Sequence, residues 1–256
     1  MVKIEKAQEN FKLYVIQFDY KEENVKRKLQ HTYRVMKLCE EIAESLKLNG
    51  EQVAIVDFIG LYHDIARFEQ YTRYNTFNDL ESFDHGDYAI KILEKNKFIE
   101  NFTNSIKYKN IIKKAIKNHN KYEINKSLNE EEMMYAKIIR DADKLDIMYE
   151  ALNMFFHSEE EKQKIETGRI SKKIIDQIYD EKTILREKNF EAIDRLLVYI
   201  AFVFDFNYQY TFETIKKENY IDKIIEQFNF KNDETLKNIK KIRNKIDQYI
   251  DKKLYL

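Results

Sequence analysis

Four of the five histidines form a spaced series with aspartates in the first part of the chain. Imidazole is a ligand for Zn, Fe, Mn, Co and Ni, and a carboxylate can bridge two hard cations. The series therefore predicts a site for one divalent transition metal ion, or for two ions that share the Asp64 carboxylate. The fifth histidine, His157, lies outside the series and is interpreted as a packed core residue. The members of the series are His31, the adjacent pair His63 and Asp64, His85, His119 and Asp143.

The chemistry that suits such a site is hydrolysis. A divalent ion lowers the pKa of a bound water to about 7, and the resulting hydroxide can attack a phosphoester. Arg67, three residues after Asp64, and Lys144, directly after Asp143, could offset charge on the phosphoryl oxygens. Each could equally be a solvated cation near a helix end. The predicted substrate is a nucleotide or another small phosphorylated molecule.

The composition indicates which elements must position these side chains. The 256 residues contain no proline and only four glycines, and turns recruit both residues whereas helix interiors reject them. An all-α fold is therefore expected. Asn49 and Gly50 should end one helix with a left-handed residue. Apolar spacings of three, four and seven predict helices over 24–48, 53–68, 85–98, 108–120 and 130–156, with a loop over 70–84.

The predicted helices direct the candidate ligands toward the core. The helix over 53–68 is apolar on almost every side, so it should be central and carry His63 and Asp64 in its last turns. Adjacent residues project about 100° apart on a helix, so both can reach one ion only where other helices converge. His85 could instead be only the first residue of a helix that Asp84 caps.

Beyond residue 157 the helical pattern continues without histidine. No proline-rich linker separates the two parts, so a single domain is expected. In it, residues 1–157 form a ligand-bearing core and residues 158–256 form a C-terminal helical layer that packs on the core. The helices predicted for this layer cover 171–180, 189–210, 211–228 and 233–255.

Charge and cysteine content limit the partners and the compartment. Forty-five basic residues balance 45 acidic ones, so no net field favours nucleic acid or an anionic membrane. The single cysteine, Cys39, excludes an intramolecular disulfide and fits a reducing compartment. The longest apolar run, 196–204, is too short to span a bilayer, and the charged N-terminus has no targeting pattern. A cytoplasmic protein is expected, and a homo-oligomer remains open.

Three segments around the candidate ligands resemble a known family. They are similar to the ligand helices of the HD-domain metal-dependent phosphohydrolase superfamily, which is named after its adjacent His-Asp pair. The resemblance covers about residues 24–150. The further histidines at 85 and 119 resemble branches of the superfamily that hold two metals, which implies a binuclear centre. The three segments are His31-Thr-Tyr-Arg34, Leu61-Tyr-His-Asp-Ile-Ala-Arg67 and Ala142-Asp-Lys-Leu145.

The resemblance also implies a role for each matching residue. Arg67 stands where many members have a lysine that contacts phosphate, and Arg34 matches a recurrent basic position. Asn120 follows His119, where some two-metal phosphodiesterase branches have another histidine. With Lys144, these three residues are the candidate substrate contacts. The implied ligands are His31, His63, Asp64 and Asp143 for the first metal, with Asp64 bridging to a second metal held by His85 and His119.

Two groups of neighbours leave alternatives open. Asp146 shares a helix face with Asp143 more nearly than Asp141 does, so Asp146 is the candidate to support a metal ligand from behind. Asp141 is expected to face solvent or an arginine. Aromatic residues in the predicted loop could stack a base or simply pack on the domain. These aromatic residues are Tyr71, Tyr74, Phe77 and Phe83.

Two other function classes fit the same ligands. A di-iron oxygenase of the same fold would use them to activate oxygen, and a non-catalytic nucleotide-binding module would keep the fold without the reaction. An air-sensitive mixed-valent di-iron centre would favour the oxygenase, whereas activity with Mn, Co or Ni would favour hydrolysis. The cost of burying unpaired polar groups argues against the module.

Overall fold

The computed structural model describes residues 3–19, 21–155, 158–187 and 189–255. All regular secondary structure in these ranges is helical, which confirms the all-α prediction. His157 lies outside the described residues, so its packing stays a prediction. No helix in the described ranges combines the length and apolar character needed to cross a bilayer.

Most of the helices are short, and within the described residues two 3-10 turns, Asp79–Glu81 and Ala201–Asp205, lie between them. The α-helices in chain order are α1 Ile4–Val15, α2 Glu23–Ser45, α3 Gly50–Tyr62, α4 Ala66–Tyr74, α5 His85–Lys95, α6 Phe98–Phe102, α7 Ile106–Asn118, α8 Glu130–Asn153, α9 Glu159–Thr167, α10 Lys172–Tyr179, α11 Ala192–Ile200, α12 Gln209–Glu218, α13 Tyr220–Ile225 and α14 Asp233–Leu254.

The chain divides into two compact units, residues 1–143 and residues 144–256. The division falls inside α8 rather than near residue 157, where the sequence pattern changes. Packing of residues 158–256 on the ligand-bearing part stays a prediction. In the second unit, α11 and the following 3-10 turn bury their apolar residues, and α11 packs against α9. The single helix predicted over 189–210 is observed only over Ala192–Ile200, because the chain then tightens into the 3-10 turn.

Helix α3 is the buried centre of the first unit, as its apolar sequence predicts. It packs against α1, α2 and α7, and Phe58 stacks on both Tyr62 and Phe102 at 4.4 Å between ring centroids. The predicted extent of this helix was wrong, because α3 ends at Tyr62 and α4 begins only at Ala66. Between the two helices, the backbone amides of Ile65 and Arg67 each donate a hydrogen bond to the carbonyl oxygen three residues earlier, which tightens the chain.

Helices α2 and α3 approach closely enough that only glycine fits at one position. A Cβ atom on Gly60 would lie 2.8 Å from the Cα of Met36 and 3.2 Å from the Sγ of Cys39. Such distances leave no room for a methyl group. The close approach brings the middle of α2, which carries His31, beside the C-terminal end of α3, where His63 follows.

The residues predicted to end α2 were wrong. Lys47, not Gly50, adopts the left-handed conformation, with φ of 56°. Asn49 instead caps the start of α3, because its side chain accepts hydrogen bonds from the amides of Glu51 and Gln52 while Gln52 bonds back to the Asn49 amide. This reciprocal capping box satisfies amides that the helix itself leaves unpaired.

Two further differences concern elements that the periodicity did not predict. Helix α1 buries Ala7, Phe11 and Val15 at four-residue spacing, but the charged residues between them hide this narrow apolar face. The segment 70–84 is only partly a loop. Helix α4 continues to Tyr74 and ends at Asn75, which is left-handed.

Candidate metal centre

Five elements of the first unit supply the six candidate ligands. Each of these residues is less than a tenth exposed. His31 lies within α2, His63 and Asp64 occupy the turn between α3 and α4, His85 begins α5, His119 follows α7, and Asp143 lies within α8.

The first group of ligand atoms surrounds one oxygen of Asp64. The Nε2 atom of His31 lies 3.5 Å from Asp64 Oδ2 and 3.2 Å from Asp143 Oδ1. The Nε2 atom of His63 lies 3.7 Å and 3.6 Å from the same two oxygens. Neighbouring ligands of an ion at about 2.1 Å are separated by about 3 to 3.5 Å. The spacing therefore suits a bound transition metal.

The second group surrounds the other oxygen of Asp64. The Nε2 atoms of His85 and His119 lie 3.4 Å and 3.6 Å from Asp64 Oδ1, and 3.0 Å from each other. In each trio, Asp64 with His31 and His63 or Asp64 with His85 and His119, the ligand atoms lie within 4.8 Å of one another. The Asp64 carboxylate thus has one oxygen toward each group and could contribute to both.

Hydrogen bonds at Nδ1 orient three of the imidazoles. The Nδ1 atoms of His63 and His119 lie 2.8 Å and 2.6 Å from the carbonyl oxygens of Gly60 and Ile116. The Nδ1 atom of His85 lies 2.6 Å from Asp79 Oδ2. A carbonyl or carboxylate oxygen can only accept, so these contacts assign the proton to Nδ1 and direct the Nε2 lone pair to the centre.

The state of the Nε2 lone pairs indicates whether a cation fits the centre. Burial lowers the pKa of His63, and burial together with nearby Arg67 lowers the pKa of His85 to about 4, so both are neutral at pH 7. The Nε2 atom of His63 makes no hydrogen bond within the described residues, and the Nε2 atoms of His85 and His119 face each other. A divalent cation would satisfy all three atoms.

Two basic side chains hold the Asp64 carboxylate. Lys28 Nζ lies 2.9 Å from Asp64 Oδ2, and Arg67 Nε lies 3.3 Å from Asp64 Oδ1. Burial alone would raise the pKa of Asp64, but Lys28, followed by His63 and Arg67, holds it well below its usual value. Sequence reasoning missed Lys28. Its position one helical turn before His31 was the available signal, because residues three apart share a helix face.

Asp79 is a second residue that the sequence did not reveal. Its Oδ1 accepts from Arg67 Nη1 and Gln70 Nε2, each at 2.9 Å. Its Oδ2 binds His85 Nδ1 and accepts from Asn120 Nδ2 at 3.2 Å. The carboxylate therefore links a ligand of the second group to Arg67. It lies in a 3-10 turn of the segment predicted as a loop, where no periodic pattern could single it out.

Arg140 positions the other ligand of the second group. Its fully buried guanidinium donates to the carbonyl oxygens of Asn118, His119 and Lys121 through Nη1 and to that of Tyr122 through Nη2. These carbonyls follow the end of α7, where a helix leaves acceptors unpaired. The bonds hold the backbone of His119 in place.

The predicted substrate contacts have different surroundings. Arg67 Nη1 donates to Gln70, Asp79 and the carbonyl of Phe77. Asn120 donates to Asp79 and Asp84, and a Cβ on Gly86 would lie 2.4 Å from its Oδ1. Both side chains are therefore held by hydrogen bonds within the protein, and a contact of either one with substrate stays a prediction.

The remaining predicted residues are spread over both units. Arg34 is half-buried on α2. Lys144 belongs to the second unit, where its ammonium pairs with Asp205 at 2.7 Å. Asp146 is buried on α8. Its predicted role, to support a metal ligand from behind, stays a prediction. Asp141 is fully buried, so the solvent alternative was wrong and its pairing with an arginine stays a prediction.

His85 and the aromatic residues resolve two alternatives from the sequence. His85 does begin a helix that Asp84 caps, through a hydrogen bond from the Asp87 amide, and it still reaches the second group. Among the aromatic residues, Tyr71 packs on Phe77 at 5.0 Å and Phe83 stacks on Tyr88 at 4.2 Å between ring centroids. These contacts favour the packing interpretation over base stacking.

Comparison with known proteins gives one family. The family model described as HD domain matches residues 29–148, a segment that contains all six candidate ligands. The searches of curated proteins and of solved structures returned no significant match.

Proposed function

Residues 29–148 belong to the HD-domain family, and from this premise we propose that the protein is a metal-dependent phosphohydrolase with a binuclear centre. Its substrate is a small phosphorylated molecule, with nucleotides as the leading class. The single observation that carries the proposal is the placement of Asp64, whose two carboxylate oxygens face two separate groups of histidines.

The chain itself prepares this site for hydrolysis. Bound divalent ions would supply a water of lowered pKa and would offset negative charge on a phosphoryl group. Hydrogen bonds at Nδ1 keep His63, His85 and His119 oriented with Nε2 toward the centre. Burial of the ligands excludes bulk water, which strengthens every electrostatic interaction inside. Lys28 and Arg67 add positive charge beside Asp64.

The proposal is tested with purified protein loaded separately with Mn, Fe, Co, Ni or Zn. Each form is assayed against a panel of nucleotides, dinucleotides and small phosphoesters. We expect one to two bound metal equivalents and release of phosphate or of a phosphorylated product. A mixed-valent di-iron centre that consumes oxygen would point to the oxygenase instead.

Asp64→Asn is the matched loss-of-function variant, since it keeps the shape of the side chain and removes its charge. We expect turnover to fall by at least about 100-fold, which is about 2.7 kcal/mol in barrier, with helical content unchanged. Asp180→Asn, at an exposed carboxylate of the second unit, is the control. Folded protein with no affinity for any of the five metals would overturn the proposal.

A further inference from the structure

Three cationic side chains converge on one aromatic ring beside the candidate metal centre. The centroid of the Phe77 ring lies 5.6 Å from the guanidinium carbon of Arg27, 5.6 Å from Lys28 Nζ and 5.9 Å from the guanidinium carbon of Arg67. Cations at such distances are attracted to the face of the ring. Phe77 is only half-buried, so this cationic cluster borders solvent.

Lys28 connects the cationic cluster to the centre. Its side chain is one-tenth exposed, and its ammonium contacts Asp64 Oδ2, the oxygen that faces His31 and His63. A buried ammonium requires an anionic partner. Asp64 provides that partner.

Metal ions would change this charge balance. Asp64, Asp143 and Asp79 together carry three negative charges, and Lys28 and Arg67 balance two of them through direct contacts with Asp64 and Asp79. One or two divalent ions bring two to four further positive charges beside the Lys28 ammonium, and like charges at short range repel strongly in a buried site. An anion that contacts both the ions and Lys28 would restore the balance.

We propose that Lys28 and Arg27, together with Arg67 around Phe77, form the phosphate-binding edge of the site, and that Lys28 couples phosphate binding to metal binding. This inference rests on the proposed function and specifies how its substrate is held. Lys28 serves as the internal counter-ion of Asp64 in the metal-free protein and as a ligand of the phosphoryl oxygens in the metal-loaded protein. Charge-assisted hydrogen bonds from ammonium and guanidinium groups to phosphate are short and strong.

The coupling can be measured without any substrate turnover. Mn²⁺ is titrated into the metal-free protein by calorimetry with and without inorganic phosphate, and phosphate is titrated into the protein with and without Mn²⁺. Linkage requires the two ligands to enhance each other by the same factor. We expect about tenfold mutual enhancement in the wild type, within the usual range for coupled sites.

Lys28→Met should raise Mn²⁺ affinity in the absence of phosphate, because a repelling cation is removed, and should reduce the enhancement to within about twofold of none. Lys37→Met, at a lysine of the same helix that is 74% exposed, should leave both quantities unchanged. Lys28→Arg should retain part of the coupling, since it preserves the charge.

Arg27→Met keeps the experiment decisive if Lys28→Met does not fold. It leaves the Lys28 contact with Asp64 intact, so metal affinity should stay the same while phosphate affinity falls several-fold. Phosphate enhancement that survives unchanged in both the Arg27 and Lys28 variants would overturn the inference. If the wild type binds no metal at all, the proposed function fails with it. Metal binding without any phosphate coupling refutes the phosphate-binding edge alone.

Discussion

At the scale of single residues, the protonation state of the histidines around Asp64 determines what the centre can bind. Each imidazole that donates from Nδ1 leaves a lone pair on Nε2, and burial keeps His63 and His85 neutral. Neutral imidazole is the form that binds metal. The arrangement therefore favours a cation at the centre over a network of hydrogen bonds among the side chains.

The number of metal ions can be tested at His119. His119→Ala should lower the bound metal by about one equivalent, because it removes one of the two imidazoles that face Asp64 Oδ1. His31→Ala should damage the first group instead. Elemental analysis of both variants, beside thermal unfolding, measures the difference. Stoichiometry that stays the same in His119→Ala would indicate a single-ion enzyme.

Asp79 can be tested through its contact with His85. Asp79→Asn keeps the shape of the side chain but replaces one carboxylate oxygen by an amide and removes the charge that orients His85. Loss of such a supporting partner typically weakens metal affinity by about 10- to 100-fold. We expect calorimetry to show this loss of affinity only for the ion bound by the second group of ligands, which contains His85. Asp87→Asn, whose carboxylate is 44% exposed and pairs with Lys117 and Lys121, should bind metal normally.

At the scale of elements, the contact between α2 and α3 sets the position of the first group. His31 belongs to α2, and His63 directly follows α3. The distance between these helices is limited at Gly60, where backbone meets backbone. A change in that distance would be transmitted to both histidines, because packed helices are close to rigid.

Gly60→Ala should therefore both destabilise the fold and weaken metal binding. The added methyl group overlaps Met36 and Cys39, and overpacking of this kind costs about 1 to 3 kcal/mol. Chemical denaturation and metal titration measure the two effects. Gly50→Ala is the matched control, since nothing lies within 4 Å of its Cβ position. Equal stability of the two variants would contradict the close approach.

The same pair of helices should make stability depend on pH through Asp57. Burial, with Glu40 and Glu44 nearby, raises the pKa of Asp57 to about 7. Between about pH 4 and pH 7 the unfolded chain loses this proton while the folded chain keeps it, so the free energy of unfolding falls as pH rises.

Asp57→Asn removes this decrease in the free energy of unfolding. We expect it to stabilise the protein at pH 8, by about 1 kcal/mol once solvent screening is allowed for, and to have little effect near pH 3, where the carboxyl group is mostly protonated in both states. Denaturation at the two pH values is the measurement, with Asp180→Asn as the exposed control. A gain that is the same at both pH values would show that the carboxylate is not the cause.

At the scale of the whole molecule, metal binding should contribute to stability. The ligands come from helices that span most of the first unit, α2 to α8, so an ion that binds them binds only the folded state. At 100 times the dissociation constant, such a ligand adds about 2.7 kcal/mol, and about 2 to 4 °C in melting temperature per kcal/mol is usual at this size. We expect melting to rise by roughly 5 to 10 °C between chelated and Mn-loaded protein. An unchanged melting temperature at saturating metal would show that the ligands do not bind one centre.

The amino-acid sequence by itself was sufficient to predict the all-α fold and the match to the HD domain. Absence of proline, scarcity of glycine and helical periodicity are local properties, so they can be recognised without knowing the packing. The His-Asp series could be recognised for a similar reason, because few other functions recruit those residue types at that spacing.

Only the tertiary structure decided what surrounds Asp64. The break between α3 and α4, the contact of Lys28 with Asp64 and that of Asp79 with His85 depend on how separate helices pack. Lysine and aspartate are ordinary surface residues in a sequence that is rich in both. Lys28 is buried because it pairs with Asp64, 36 residues away, whereas the half-buried Asp79 is held by Arg67 and His85 on either side of it in the chain. Periodicity along a single helix carries no information about such partners.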